Sequence, residues 1–189
     1  QFTYELLNAE TGDWDTLFDY EVFSEQSISI LGFDKNPNLL YISALHNGRD
    51  ALFRLNLTTK ERELIYSNDK YDFDGSIFYS SKTGEVAGFT DSHIGDGVNY
   101  WDADLDKLHR SLRVSLPKDD YDIDILSTTK DQQKYILCVS SAKSSGSYLL
   151  GDRTKNQVSA IADAYPQIDE TVYGGKERIS YKARDGLTI

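Results

Sequence analysis

Short apolar runs separated by small polar clusters occupy nearly the whole chain. In Ser27-Ile28-Ser29-Ile30 and Tyr121-Asp122-Ile123-Asp124-Ile125 apolar and polar positions alternate, the period of a strand with one covered face. Tyr135-Ile136-Leu137-Cys138-Val139 is apolar throughout, as a strand covered on both faces would be. No segment sustains a 3.6-residue period over three turns, so the pattern predicts almost no helix.

The strands fall into a repeat of about 48 residues. Residues 27–45, 74–91 and 122–141 each read as strand, polar turn, strand, with Lys35, Lys82 and Lys130 marking the turns. Hairpin turns between a third and a fourth strand are predicted at 55–60, 102–107 and 151–156, and another copy of that half-unit opens the chain at 8–13. Four strands per repeat is what a β-propeller blade needs, and each blade buries its faces against its neighbours. The predicted fold class is therefore all-β, a partial β-propeller of four-stranded antiparallel blades. It comprises a half blade over 1–20, complete blades over 21–68, 69–117 and 118–166, and a terminal linker strand over 167–189. In the second complete blade the strands are expected at 76–80, 85–90, 98–103 and 109–114. Within 167–189, Tyr173-Gly174-Gly175 reads as a turn, and Asp185-Gly186 as another. Such an open stack leaves apolar blade faces uncovered, so self-association through them is expected.

The net charge is −11 with a pI near 4.6, which argues against nucleic acid and against an anionic membrane surface as partners, since both need Lys and Arg. The acidity reads as serving solubility, with attraction of cationic peptides or amines as the alternative. No apolar run is long enough to span a membrane. The sequence contains no Met, and Gln1-Phe2-Thr3-Tyr4 is not a basic segment leading into an apolar stretch. It reads as an internal fragment of a longer polypeptide, with the compartment open between cytoplasm and periplasm. The lone Cys138, flanked by Leu137 and Val139, reads as a small buried apolar residue and excludes an intrachain disulfide.

The motifs of catalysis are missing. No Gly-x-Ser-x-Gly occurs, and Ser144-Ser145-Gly146-Ser147-Tyr148, which lacks the second Gly, reads as a loop between two strands. Gly95-x-Gly97 reads as an ordinary inter-strand loop. His46 and His93 fall in equivalent loops of successive blades and His109 near an outer strand; all three read as loop or surface residues, without the convergent spacing zinc requires. Asp119-Asp120, Asp122 and Asp124 lack the alternating pattern of a calcium loop, and Asp122 with Asp124 reads as one solvated strand face. Asn56-Leu57-Thr58 is a glycosylation sequon by pattern, and Trp101-Asp102 resembles a WD dipeptide that occurs once. No catalytic, cofactor-binding or metal-ligating residue is expected.

The segment Ile179-Ser180-Tyr181-Lys182-Ala183-Arg184-Asp185-Gly186-Leu187-Thr188-Ile189 resembles the junction where the last propeller blade of prolyl oligopeptidase family (S9) serine peptidases passes into the α/β-hydrolase domain. In the acylaminoacyl-peptidase and dipeptidyl-aminopeptidase-like members the last blade passes into that domain through such a strand. The blades are similar to that family's in their Ser/Asp-x-x-Gly turns and Asp-x-x-Thr hairpins, and equally similar to TolB-like propellers. The S9 resemblance implies a propeller segment acting as lid and size filter over a hydrolase domain of the same polypeptide. Short peptides would be the substrates of the intact enzyme, with catalytic Ser, Asp and His beyond Ile189. The alternative, a TolB-like or scaffold propeller, implies binding of a protein partner.

Overall fold

The computed structural model describes every residue except 9, 22–26, 116–120, 169–173, 175–178 and 189. The pair Asp119-Asp120 therefore lies outside the described residues, as do Tyr173, Gly175 and much of the expected linker. The chain divides into two compact units, Gln1–Asp106 and Lys107–Ile189. Among the described residues no helix is long and apolar enough to cross a membrane.

The first unit holds three antiparallel sheets whose neighbouring strands are consecutive in sequence. A hairpin, β1 (Phe2–Leu7) and β2 (Trp14–Tyr20), precedes a four-stranded meander of β3 (Ile28–Phe33), β4 (Leu39–His46), β5 (Arg49–Asn56) and β6 (Arg62–Tyr66). A three-stranded meander follows, β7 (Ile77–Tyr79), β8 (Val86–Thr90) and β9 (Val98–Tyr100). The inner strands of the middle sheet are covered on both faces, which explains why β4 is nearly continuously apolar and β5 carries Ala51, Leu52 and Phe53 in succession. Leu40, Ile42, Ala44, Ala51, Phe53 and Leu55 pack with Tyr4, Leu6, Leu17 and Phe18 of the hairpin. Tyr41 and Leu52, pointing the other way along the same strands, pack with Phe73, Ile77, Val86 and Phe89. Phenols tie the sheets together: the Tyr20 hydroxyl donates to the Ile28 carbonyl (2.7 Å), and the Tyr79 hydroxyl donates to that of Phe33 (2.7 Å).

In the second unit β10 (Tyr121–Thr128), β11 (Lys134–Ser141), β12 (Ser144–Asp152) and β13 (Gln157–Asp163) form a further four-stranded antiparallel meander. Its buried face joins Ile123, Tyr135, Leu137 and Val139 to Leu108 and Leu112 of a helix. Gly151 pairs directly with Tyr135, whose ring lies so close that a Cβ on Gly151 would come within 2.0 Å of it. The loop expected at 144–148 is instead the start of β12: the reversal is made by the two residues Ala142 and Lys143, which leaves Ser144–Tyr148 in the strand. A small antiparallel bridge between Lys182 and Thr188 lies farther along, beyond the last sheet.

These are the meandering antiparallel sheets of an all-β, partial β-propeller, with one correction. The strands expected at 98–103 and 109–114 are β9, which ends at Tyr100, and the helix α1 (Ala103–Ser115). The repeat itself explains the substitution. Asn8, Asn56, Asp102 and Asp152 occupy equivalent positions, and in each the side-chain Oδ1 accepts the backbone N–H groups two and three residues on. At three of the four, the residue four positions on turns left-handed: Gly12 (φ 78°), Lys60 (φ 63°) and Asn156 (φ 48°). That residue stops the helical turn and sends the chain back as a hairpin. Asp106 is not left-handed, so the turn propagates into α1 with Asp102 as its N-cap. Asp104 and Asp106 near the start and Arg113 near the end suit the helix dipole, and Leu105, Leu108, His109 and Leu112 make one buried stripe. His109, expected at the surface, is therefore buried at 3% exposure.

Candidate functional site

Two features of the first unit gather chemistry-bearing side chains. The larger is a groove of about 730 Å³ lined by Asp34, Tyr41, Arg54, Glu63, Glu85 and Trp101, among others. Four of its polar groups are engaged with one another in pairs. The Arg54 guanidinium donates to Glu63 Oε2 through Nε (3.0 Å) and Nη2 (2.5 Å), and this partner raises its pKa further. The Tyr41 hydroxyl donates to Asp34 Oδ2 (3.3 Å), and burial, followed by the Asp34 charge, pushes that phenol above its ordinary value. Trp101 tilts over Tyr41 at 5.8 Å between ring centroids. The groove is a recessed polar surface with an acidic excess, suited to binding rather than to proton transfer.

The second feature is built where β7 and β8 begin and end. Pairing of Ile77 with Phe89, continued by the Thr90 N–H bond to the Ser76 carbonyl (2.8 Å), sets Asp74 beside Ser92. The two backbones approach so closely that a Cβ on Gly75 would overlap the Thr90 carbonyl oxygen at 1.5 Å. Ser92 then donates to Asp74 through its N–H (3.0 Å) and its hydroxyl (2.5 Å), bonds that hold the Asp74 carboxyl below the usual carboxylate range. Asp91, directly after β8, is 1% exposed. Its Oδ1 accepts the His93 N–H (2.7 Å) and lies 3.5 Å from His93 Nδ1, which is 3.9 Å from Asp74 Oδ2. The Tyr71 ring stacks on the imidazole at 4.1 Å and 13°. The connection from β6 is fixed as well, because Asp50 N–H donates to Asp72 Oδ1 (3.0 Å) and Phe73 N–H to the Asp50 carbonyl (2.9 Å).

Ser92, His93 and two carboxylates invite comparison with a serine-hydrolase triad, and the geometry is unlike one. A triad uses the two imidazole nitrogens separately, one toward the serine and the other toward the carboxylate. Here Ser92 Oγ (3.3 Å), Asp91 and Asp74 all crowd the same nitrogen, Nδ1, and the Ser92 hydroxyl proton is directed at Asp74.

The other singled-out residues are dispersed. His46, the counterpart of His93, lies 3.2 Å from the Asn47 amide through Nε2 and packs edge-on to Phe53. Gly95 and Gly97 lie in the loop between β8 and β9. Asp122 and Asp124 are both exposed on β10, and Asp124 is raised by desolvation and then by the Asp122 charge. Cys138, opposite Asp124, is raised by burial and by that carboxylate, the reverse of an activated thiol. Sequence reasoning missed the convergence of Asp74, Asp91 and His93. The Asp91-x-His93 pair was legible; the register that brings in Asp74 was not.

No protein-family model matches the chain, and no curated protein matches it. Among solved structures, that of TolB from Acinetobacter baumannii is similar over 84% of this chain and 37% of that one, at a TM-score of 0.45 and 13% identity. The chain thus spans well under half the length of that structure.

Proposed function

We propose that this chain is a non-catalytic β-propeller segment of a serine peptidase, a lid and substrate-size filter over an α/β-hydrolase domain carried elsewhere in the same polypeptide. The observation that supports it is the reversal after the last sheet. Lys182 pairs with Thr188, Ala183 N–H donates to the Leu187 carbonyl (2.8 Å), and Gly186 N–H to that of Ala183 (2.9 Å). Around this turn Ile179, Tyr181 and Leu187 are 73%, 57% and 66% exposed. Three large apolar side chains exposed within so short a segment suit a surface that another domain covers. These are also residues of the segment that resembles the S9 junction. A lid of this kind works by exclusion, admitting short peptides while keeping folded proteins and bulk water from the chemistry.

Two measurements test the reading. The chain itself should hydrolyse no aminoacyl- or acyl-peptide substrate, and turnover abolished by a serine-directed fluorophosphonate would refute it. The coding sequence after Ile189 should reach a Gly-x-Ser-x-Gly within roughly 150 residues, followed by Asp and then His. A stop codon or further blades there would remove the peptidase and leave a propeller that binds a protein partner.

A further inference from the structure

We propose that Asp74, Asp91 and His93 bind a divalent transition-metal ion of the Zn²⁺ type. One ligand atom from each of the three lies within 4.8 Å of the other two. Zinc bonds imidazole nitrogen and carboxylate oxygen at about 2.0–2.2 Å, which places adjacent ligand atoms roughly 3–3.5 Å apart. The existing separations from His93 Nδ1, 3.5 Å to Asp91 Oδ1 and 3.9 Å to Asp74 Oδ2, are close to that.

An independent observation points to a cation. Asp91 is 1% exposed, yet its Oδ2 finds no hydrogen-bond donor among the described residues. A buried carboxylate with one oxygen unpartnered is costly, and a cation bound by that carboxylate offsets the cost. The surroundings are those of a prepared site. Ser92 orients Asp74 by two hydrogen bonds, the His93 backbone fixes Asp91, and the Tyr71 ring holds the imidazole plane. Asp74 is partly exposed, with 48% of its side-chain surface accessible, so the ion would be reached from solvent and would keep water in its remaining coordination positions. The imidazole decides the class of metal. Nitrogen ligation favours zinc and its neighbours over Ca²⁺ or Mg²⁺, which take oxygen.

The competing arrangement is an ion-free cluster in which His93 alone bridges the two carboxylates, and it makes opposite predictions. The whole chain, stripped with a chelator, would be titrated with ZnCl₂ by calorimetry, alongside Asp74→Asn and His93→Gln. The expected result is one Zn²⁺ per chain, a thermal midpoint raised by Zn²⁺ in the parent, and affinity weakened at least about tenfold in each variant. Excess Ca²⁺ should not displace the ion. Absence of saturable Zn²⁺ binding, binding by both variants as tight as that of the parent, or displacement by Ca²⁺ would overturn the assignment. Because Asp74 is partly exposed, Asp74→Asn keeps the test decisive even if His93→Gln fails to fold.

Discussion

Asp131 and Asp152 are placed to register acid. Each accepts a threonine hydroxyl at 2.6 Å, from Thr129 and Thr154, together with backbone N–H groups, and these bonds hold both carboxyls below the usual range. A depressed folded value means that the unfolded chain takes up the proton first. Their contribution is therefore present above the unfolded pKa of about 3.9 and is lost as pH falls through the folded value. Asp50 and Asp124, raised chiefly by burial, run the other way: their contribution is present below the unfolded pKa and fades as pH rises through the folded one. The thermal midpoint is expected to fall on acidification from about pH 5 to about pH 2, and to fall less in Asp131→Asn/Asp152→Asn. Identical acid limbs for parent and variant would contradict the assignment. At this scale the turn carboxylates could be read from the repeat, because their partners are two or three residues away. The partnership of Asp74 with Asp91 and His93 could not, since it depends on which residues of β7 and β8 face one another.

Among the elements, α1 is the informative exception. Its stripe of Leu105, Leu108 and Leu112 has helical spacing, but a strong 48-residue repeat predicts a hairpin at the same place. The two outcomes share their first turn, the Asp102 side chain bonding Asp104 and Leu105 N–H, and differ only in what residue 106 does next. The backbone conformation at residue 106 thus separates the hairpin from the helix. Asp102→Ala should cost about 1 kcal/mol and reduce the helical circular-dichroism signal, whereas Asp102→Asn should retain both. The urea midpoint measures the first effect, and equal losses in the two variants would show that capping is not the cause. By contrast, the paired strands on either side were legible because alternation and turn chemistry agree in them.

The molecule as a whole distributes its apolar surface unevenly. All of β13 is exposed, and Trp14 on the opening hairpin is 61% exposed; these are the faces through which self-association is proposed to run. That some blade faces would lack cover followed from the repeat. Which strands would be enclosed on both faces did not, because enclosure depends on what packs against each face and not on the sheet's own sequence. The sheet β3–β6 is sandwiched within its unit, with Leu40, Ile42, Ala51 and Leu52 at 0% exposure. Opening such a sheet means dismantling its neighbours, while β13 can peel away alone. Amide protons of β4 and β5 should therefore exchange with deuterium only as fast as the entire unit unfolds, and those of β13 orders of magnitude sooner. The enclosed sheet would then set the slowest clock in the protein, and a mass-spectrometric time course would show whether it is the last part of its unit to let solvent in.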